Sequence, residues 1–389
     1  MQLVYAQEPL PQQATSSIFL AGPTPRSLSV PSWRPLAIAL LESAGYDGTV
    51  FIPEPRGGAW QDYMGQIAWE SDALNRSDSI LFWIPRDLTP DEYGYPRMGA
   101  LTTNDEWGTW KTSGKVVLGT PPVTRELHVG YQLYFAKKYE VPTFTALDDT
   151  IQAAMKMVTP GAPRVGAECM VPLHVWRTHS FQGWYQALKS AGNRLDQARV
   201  IWTLNIDQEP ILWALNADVH VTAENRNLSE VVVGRPDTST VVLWSRAATM
   251  RETEIVLVKE FRAAVRTSDG FVHALPGGSS KEHGSPLQTA LDELREETGL
   301  TMPAGRMVSH VPRQVAASIS SFTSTCFAAE ISREEMDRAK ALRNSVHGIA
   351  ADGERTYLEV TTVGELLDKP LTDWMTLGMV FSALARATR

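Results

Sequence analysis

Through the first 145 residues, short apolar runs alternate with stretches of helical periodicity. Ile18-Phe19-Leu20-Ala21 ends in Gly22-Pro23, and an amphipathic helix follows over Leu36 to Ala44. Thr49 to Ile52 ends at Pro53, Asp62 to Arg76 has helical spacing, and Ser79 to Ile84 ends at Pro85. A helix starting near Asn104 leads to Lys115 to Leu118, and another over Leu127 to Tyr139 leads to Val141 to Phe144. Strands alternating with helices of this length predict βαβ units and an α/β domain around a parallel sheet. Ligands of such sheets sit at the carboxyl ends of the strands, so the loops after Ala21, Ile52 and Ile84 come first.

Pro and Gly crowd Val158 to Pro163 and mark a boundary. The segment to Ile206 has helical stretches such as Phe181 to Ala191. From Ala217 the pattern becomes strand-like, at 219–222, 231–233, 240–244, 254–259, 270–275 and 321–328, with one strong helix over Pro286 to Thr298. The pattern predicts domains at 1–160 and 216–389, the second an α+β sandwich, with a linker and helical extension at 161–215.

Composition narrows the function. The chain has 389 residues, 43% hydrophobic and 21% charged, with 36 basic against 44 acidic side chains and a net charge of −8. No broad basic surface is available for a nucleic-acid polymer. A few local Arg residues or helix N-termini still suffice for a small anion. Two cysteines, Cys169 and Cys326, make neither a disulfide framework nor a cysteine-built zinc site, and a reducing, cytoplasmic setting is expected. The first residues do not read as a secretory signal and no apolar run is long enough to span a bilayer, so no membrane partner is expected. Six of the twelve Trp precede residue 111, as core packing or as platforms for a planar base.

Ser285-Pro286-Leu287-Gln288 reads as a capped helix start with a capping box, and Gly299 as its stop. Leu287, Ala290, Leu291 and Leu294 form its apolar stripe. At about 100° per residue, Glu293, Glu296 and Glu297 share one flank beside it. Their repulsion either relaxes in solvent or is reversed by a divalent cation with a preference for oxygen ligands. With Leu275-Pro276-Gly277-Gly278 before it, the helix resembles the Nudix hydrolase signature G-x5-E-x7-R-E-U-x-E-E-x-G-U. Gly278, Glu293, Leu294, Glu296, Glu297, Gly299 and Leu300 stand in register, while Gly284 replaces the first Glu and Asp292 the Arg. The resemblance implies a Nudix sandwich in which Glu293, Glu296 and Glu297 hold Mg²⁺ or Mn²⁺ against a diphosphate, with Glu293 also catalytic. Val256 to Arg262 looks like the preceding strand of members acting on ADP-ribose-like diphosphates. The two departures support a rival, a nucleotide sensor that binds without cutting.

At the other end, Gly22-Pro23-Thr24-Pro25-Arg26 puts a tight turn, a hydroxyl and a guanidinium after the first strand: an ordinary turn with a surface Arg, or a phosphate or ribose cradle. Thr102 to Gly108 reads as a helix start with Asn104 or Thr103 as cap and Glu106 in the first turn, where the helix dipole favours an ionised carboxylate. The turn, Glu70 eight residues before Asp78, and Glu106-Trp107-Gly108 together resemble the nucleoside 2-deoxyribosyltransferase-like family over roughly 16–155. The resemblance implies a flavodoxin/Rossmann-like fold. It makes Glu106 the nucleophile on a nucleoside or nucleotide anomeric carbon and Glu70 the group assisting base departure. Gly22, Pro23, Thr24, Arg26 and Asn104 are expected at the substrate, and Asp87, at the carboxyl end of a strand, either reaches a ribose or caps the next turn. An Asp expected six residues before the nucleophile is replaced by Ala100, which favours hydrolysis over transfer. A small-molecule nucleotide is the expected partner, and a homo-oligomer fits the resemblance, since related domains often complete their sites across subunits.

Overall fold

The computed structural model describes residues 1–25, 30–57, 62–122, 126–206, 209–279, 284–343, 345–349 and 353–387. They form two compact units, Met1–Gly234 and Arg235–Arg389.

The first unit is built on six parallel strands: β1 (Gln2–Tyr5), β2 (Ser17–Ala21), β3 (Thr49–Ile52), β4 (Ser79–Trp83), β5 (Val116–Gly119) and β6 (Thr143–Phe144), in the order β1-β3-β2-β4-β5-β6. Every residue of β2 to β5 is buried, which is why these strands read as continuous apolar runs rather than alternating ones. Side chains of odd and even positions part to the two faces. Phe19, Phe51 and Phe82 pack with Trp69 and Trp107 of the helices α2 (Tyr63–Arg76) and α3 (Leu101–Trp110) and with Val129 and Ala136 of α4 (Glu126–Lys138). Ile18, Leu20 and Leu81 pack with Leu41 of α1 (Arg34–Ser43) and Ile151 of α5 (Leu147–Val158). Trp33, Trp69, Trp83 and Trp107 are all buried; Trp60 lies outside the described residues. The edge strand β1 is absent from the predicted elements. Without it the order is the 2-1-3-4-5 of a flavodoxin-like sheet, and the order reverses between β2 and β4.

Residues 161–215 are not a free linker: the helical stretch expected there packs on the strands that follow it, and both are tied to the parallel sheet. Arg164 meets Asp78, the residue before β4, in a buried bidentate pair (2.7 and 2.6 Å), and Asp78 also accepts from the Leu173 amide (2.9 Å) and the Ser17 hydroxyl (3.0 Å). Beyond it, α6 (His179–Ser190) lays Phe181 and Tyr185 against Trp213 and Leu215 of an antiparallel sheet made of β7 (Arg194–Ile206), β8 (Glu209–Val221) and β9 (Arg226–Gly234). The strand patterns at 219–222 and 231–233 therefore belong to the first unit, not the second.

The second unit is a mixed sheet whose centre is β12-β10-β11-β13, comprising β10 (Thr238–Ser245), β11 (Glu254–Glu260), β12 (Thr323–Glu330) and β13 (Thr356–Thr362). The β10–β12 pair is parallel and its neighbours antiparallel. The helix α7 (Pro286–Thr298) covers one face through Ala290 and Leu294, and α8 (Trp374–Ala387) covers the other through Val380, Ala383 and Leu384. Among the described residues no helix is long and apolar enough to cross a membrane.

Candidate active site

The order reversal between β2 and β4 brings the ends of these strands together. A Cβ on Gly22 would stand 2.2 Å from the Trp83 carbonyl oxygen and 2.9 Å from the Trp33 ring, so only glycine lets β2 end so close to β4. The following turn is held from within. Trp33 Nε1 donates to the Pro23 carbonyl (3.2 Å). Arg34, fully buried, donates from Nε to the Leu20 carbonyl (3.0 Å), from Nη2 to the Gly22 carbonyl (2.7 Å), and from Nη1 to Thr24 Oγ1 (3.1 Å) and Glu54 Oε1 (2.5 Å). The turn predicted to cradle a substrate is thus braced by Arg34 and Glu54, neither of which the sequence singles out. Arg26 lies outside the described residues.

Arg34 also places a positive charge against Glu70 of α2 and Glu106 of α3. Burial pushes Glu106 up to about 8, the charges of Glu70 and Asp105 add to the shift, and Arg34 opposes it. Burial raises Glu70 as well, against the Gln66 amide that donates to its Oε1 (2.6 Å) and against Arg34. The structure therefore brings Glu70 and Glu106 into one electrostatic neighbourhood with the buried Arg34, which itself bonds the carbonyls at the end of β2.

The start of α3 differs from the expected one, and Asp87 takes the second of its two readings. The helix begins at Leu101, capped by Ala100 in the left-handed region (φ 58°), so neither Thr103 nor Asn104 is the cap. Glu106 accordingly falls in the second turn, beyond the reach of the terminal dipole, and burial makes it hold its proton rather than lose it. Asn104 lies about 160° around α3 from Glu106 and bonds Gln132 and Arg86 instead. Asp87 caps its own turn, accepting from the Thr89 amide (2.9 Å), and is held below the usual carboxylate range by that residue.

In the second unit, Gly277 and Gly278 lie directly under α7. Glu297, 3% exposed, accepts from the Gly277 amide (2.8 Å), and a Cβ on Gly278 would fall 2.1 Å from Glu293 Oε1. Burial pushes Glu297 up to about 8, with Glu293, Glu354 and Glu260 adding to it. Glu293 rises to about 7 from burial and the charges of Glu354, Glu296 and Asp292. Glu296 turns to Arg295 (3.7 Å). Glu260 and Glu354, which the sequence does not single out, thus belong to the same acidic neighbourhood; Glu260 ends the strand flagged before the signature. The capping box is not formed: Ser285 makes no side-chain cap, and Gln288 donates to Asp292 (3.1 Å). Glu282 and His283 lie outside the described residues. The donors are hard oxygens whose mutual repulsion a divalent cation would relieve. As they stand, however, no three His, Cys, Asp or Glu side chains among the described residues converge to hold a metal.

No curated protein matches the chain. One family match covers residues 15–123, under a third of the chain, from the start of β2 past β5, and includes Gly22, Arg34, Glu70 and Glu106. Residues 15–123 are a nucleoside 2-deoxyribosyltransferase-like domain.

Proposed function

We propose that the first unit cleaves the N-glycosidic bond of a nucleoside or nucleoside monophosphate, with Glu106 as nucleophile and Glu70 as acid and base. The observation that carries this reading is the pairing of Glu70 with Glu106 beside Arg34 at the order reversal of a nucleoside 2-deoxyribosyltransferase-like domain. A Glu106 carboxylate oxygen attacks C1′ and the C1′–N bond breaks. Its electron pair goes to the base, which takes the proton from Glu70. Water then attacks C1′ of the glycosyl ester, gives its proton to Glu70, and frees Glu106. Arg34 favours the ionised nucleophile without contacting the sugar. Gly22, Pro23 and Thr24, braced by Arg34, would form the wall against which the sugar sits.

For the second unit we propose Mg²⁺- or Mn²⁺-dependent hydrolysis of a nucleoside diphosphate-linked substrate, held by Glu293, Glu296 and Glu297. The support is the in-register signature together with the seating of Glu293 and Glu297 on Gly277 and Gly278. The bound cation would supply phosphate neutralisation and a polarised water. The rival, a unit that recognises a nucleotide without cutting it, draws on Gly284, Asp292 and the non-convergence of the three carboxylates. The test offers the full chain nucleosides, their mono-, di- and triphosphates and dinucleotides with Mg²⁺, and follows free base and phosphate by chromatography. Base release abolished by Glu106→Gln supports the first reading. Diphosphate cleavage lost in Glu293→Gln supports the second, and no cleavage of any diphosphate supports the sensor. Base release from a dinucleotide that ignores Glu293→Gln and Glu297→Gln excludes a relay between the two activities.

A further inference from the structure

Between α3 and α4 the first unit carries a cavity of about 460 Å³, within the size range of small-molecule sites. Its lining from α3 is Asn104, Trp107, Gly108 and Lys111, spaced i, i+3, i+4, i+7, a stripe about 150° around the helix from Glu106. Neither Glu70 nor Glu106 is among its lining residues. Among the described residues no carboxylate lines it, and two cations do, Arg86 and Lys111.

The polar groups are arranged, not scattered. Asn104 Oδ1 accepts from both Gln132 Nε2 (2.7 Å) and Arg86 Nη2. This orients both carboxamides, whose remaining groups are a donor, Asn104 Nδ2, and an acceptor, Gln132 Oε1. Trp107 is 4% exposed, lines the cavity, and its Nε1 has no partner. Tyr131, 79% exposed, forms part of the rim, and Lys111 Nζ lies 5.6 Å from the Phe135 ring centroid. Amide donors and acceptors match the edge of a nucleobase, aromatic rings stack on its face, and a cation suits a phosphate.

We infer that this groove is a second nucleotide site, taking a planar heteroaromatic base that carries a phosphate, with the Asn104–Gln132 pair reading the base edge, Tyr131 stacking and Lys111 meeting the phosphate. Its occupancy does not require Glu106. The test is equilibrium dialysis of radiolabelled nucleoside 5′-monophosphates against the full chain carrying Glu106→Gln, so that no ligand is consumed. Lys111→Met and Tyr131→Ala, both at rim positions that leave the core intact, are each expected to weaken at least one monophosphate about tenfold. Orthophosphate and the free nucleoside should each compete worse than the monophosphate. Unchanged dialysis in both variants overturns the inference. So does competition by orthophosphate as strong as that of the monophosphate, or a loss of binding matched one for one by a rise in KM for base release when Glu106 is restored.

Discussion

Glu297 offers a test that needs no substrate. Its carboxyl is buried against the Gly277 amide and titrates near 8 in the folded protein against 4.5 in the unfolded chain. A carboxyl raised in this way costs nothing below pH 4.5, where both states hold the proton. From pH 4.5 upward the unfolded chain ionises and the folded one does not, and the penalty grows until about pH 8, after which it is constant. At about 1.4 kcal/mol per pH unit, the penalty reaches about 3 kcal/mol at pH 7. In Glu297→Gln the amide oxygen still accepts from Gly277 and nothing titrates. Calorimetry of the full chain in chelator should therefore show one unfolding transition, that of the second unit, raised in the variant by about 6–12 °C at pH 7 and hardly at all at pH 4.5. Parallel dependences of the two proteins on pH would refute the placement of Glu297 in a buried acidic neighbourhood.

Glu106→Gln should lower base release on the order of 10⁴-fold. Because burial raises Glu106 to about 8 and its ionised form attacks while Glu70 must keep its proton, kcat/KM in the wild type should rise with pH towards that value and fall once Glu70 ionises; a profile flat from pH 6 to 9 would count against this pair of roles. Asp78→Asn strips the buried Arg164 of its counter-charge and should destabilise the first unit by about 3–5 kcal/mol, read as a lower urea midpoint with unchanged slope. Gly22→Ala drives a methyl into the Trp83 carbonyl and should cost about 2–3 kcal/mol, with base release falling even where the protein stays folded; a fully active, equally stable variant would contradict the close approach of β2 and β4.

Four of the six parallel strands were legible because each is an apolar run closed by Pro or Gly, and the short Thr143–Phe144 because it follows a helical stretch in the same alternation. The sixth, Gln2–Tyr5, mixes Gln with Leu, Val and Tyr at the sheet edge, and nothing local distinguishes it from a coil. The helix α7 was legible in phase, since its stripe, its Pro start and its Gly stop agree. The residues that escaped notice are those whose meaning lies in long-range contact. Arg34 opens a helix as an ordinary polar position, yet it is enclosed by carbonyls from a strand fourteen residues earlier. Glu260 and Glu354 approach α7 only through the sheet. The start of α3 was misread because its cap is a left-handed Ala, which offers no side-chain signal, and the preference of Asn104 for caps drew the boundary three residues late. The domain boundary moved to Gly234 because Asp78 and Arg164 are partners across 86 positions.

That partnership bears on how the matched region can be handled. A fragment cut at residues 15 and 123 would keep Glu70, Glu106 and Arg34. It would strand Asp78 without its guanidinium, lose the Leu173 amide that shares the load, and bare the flank of Thr49–Ile52 once shielded by Gln2–Tyr5. The stretch that sequence comparison recognises is thus smaller than the piece able to stand alone, and grafting or dissecting this chain means carrying the sheet's neighbours along with it.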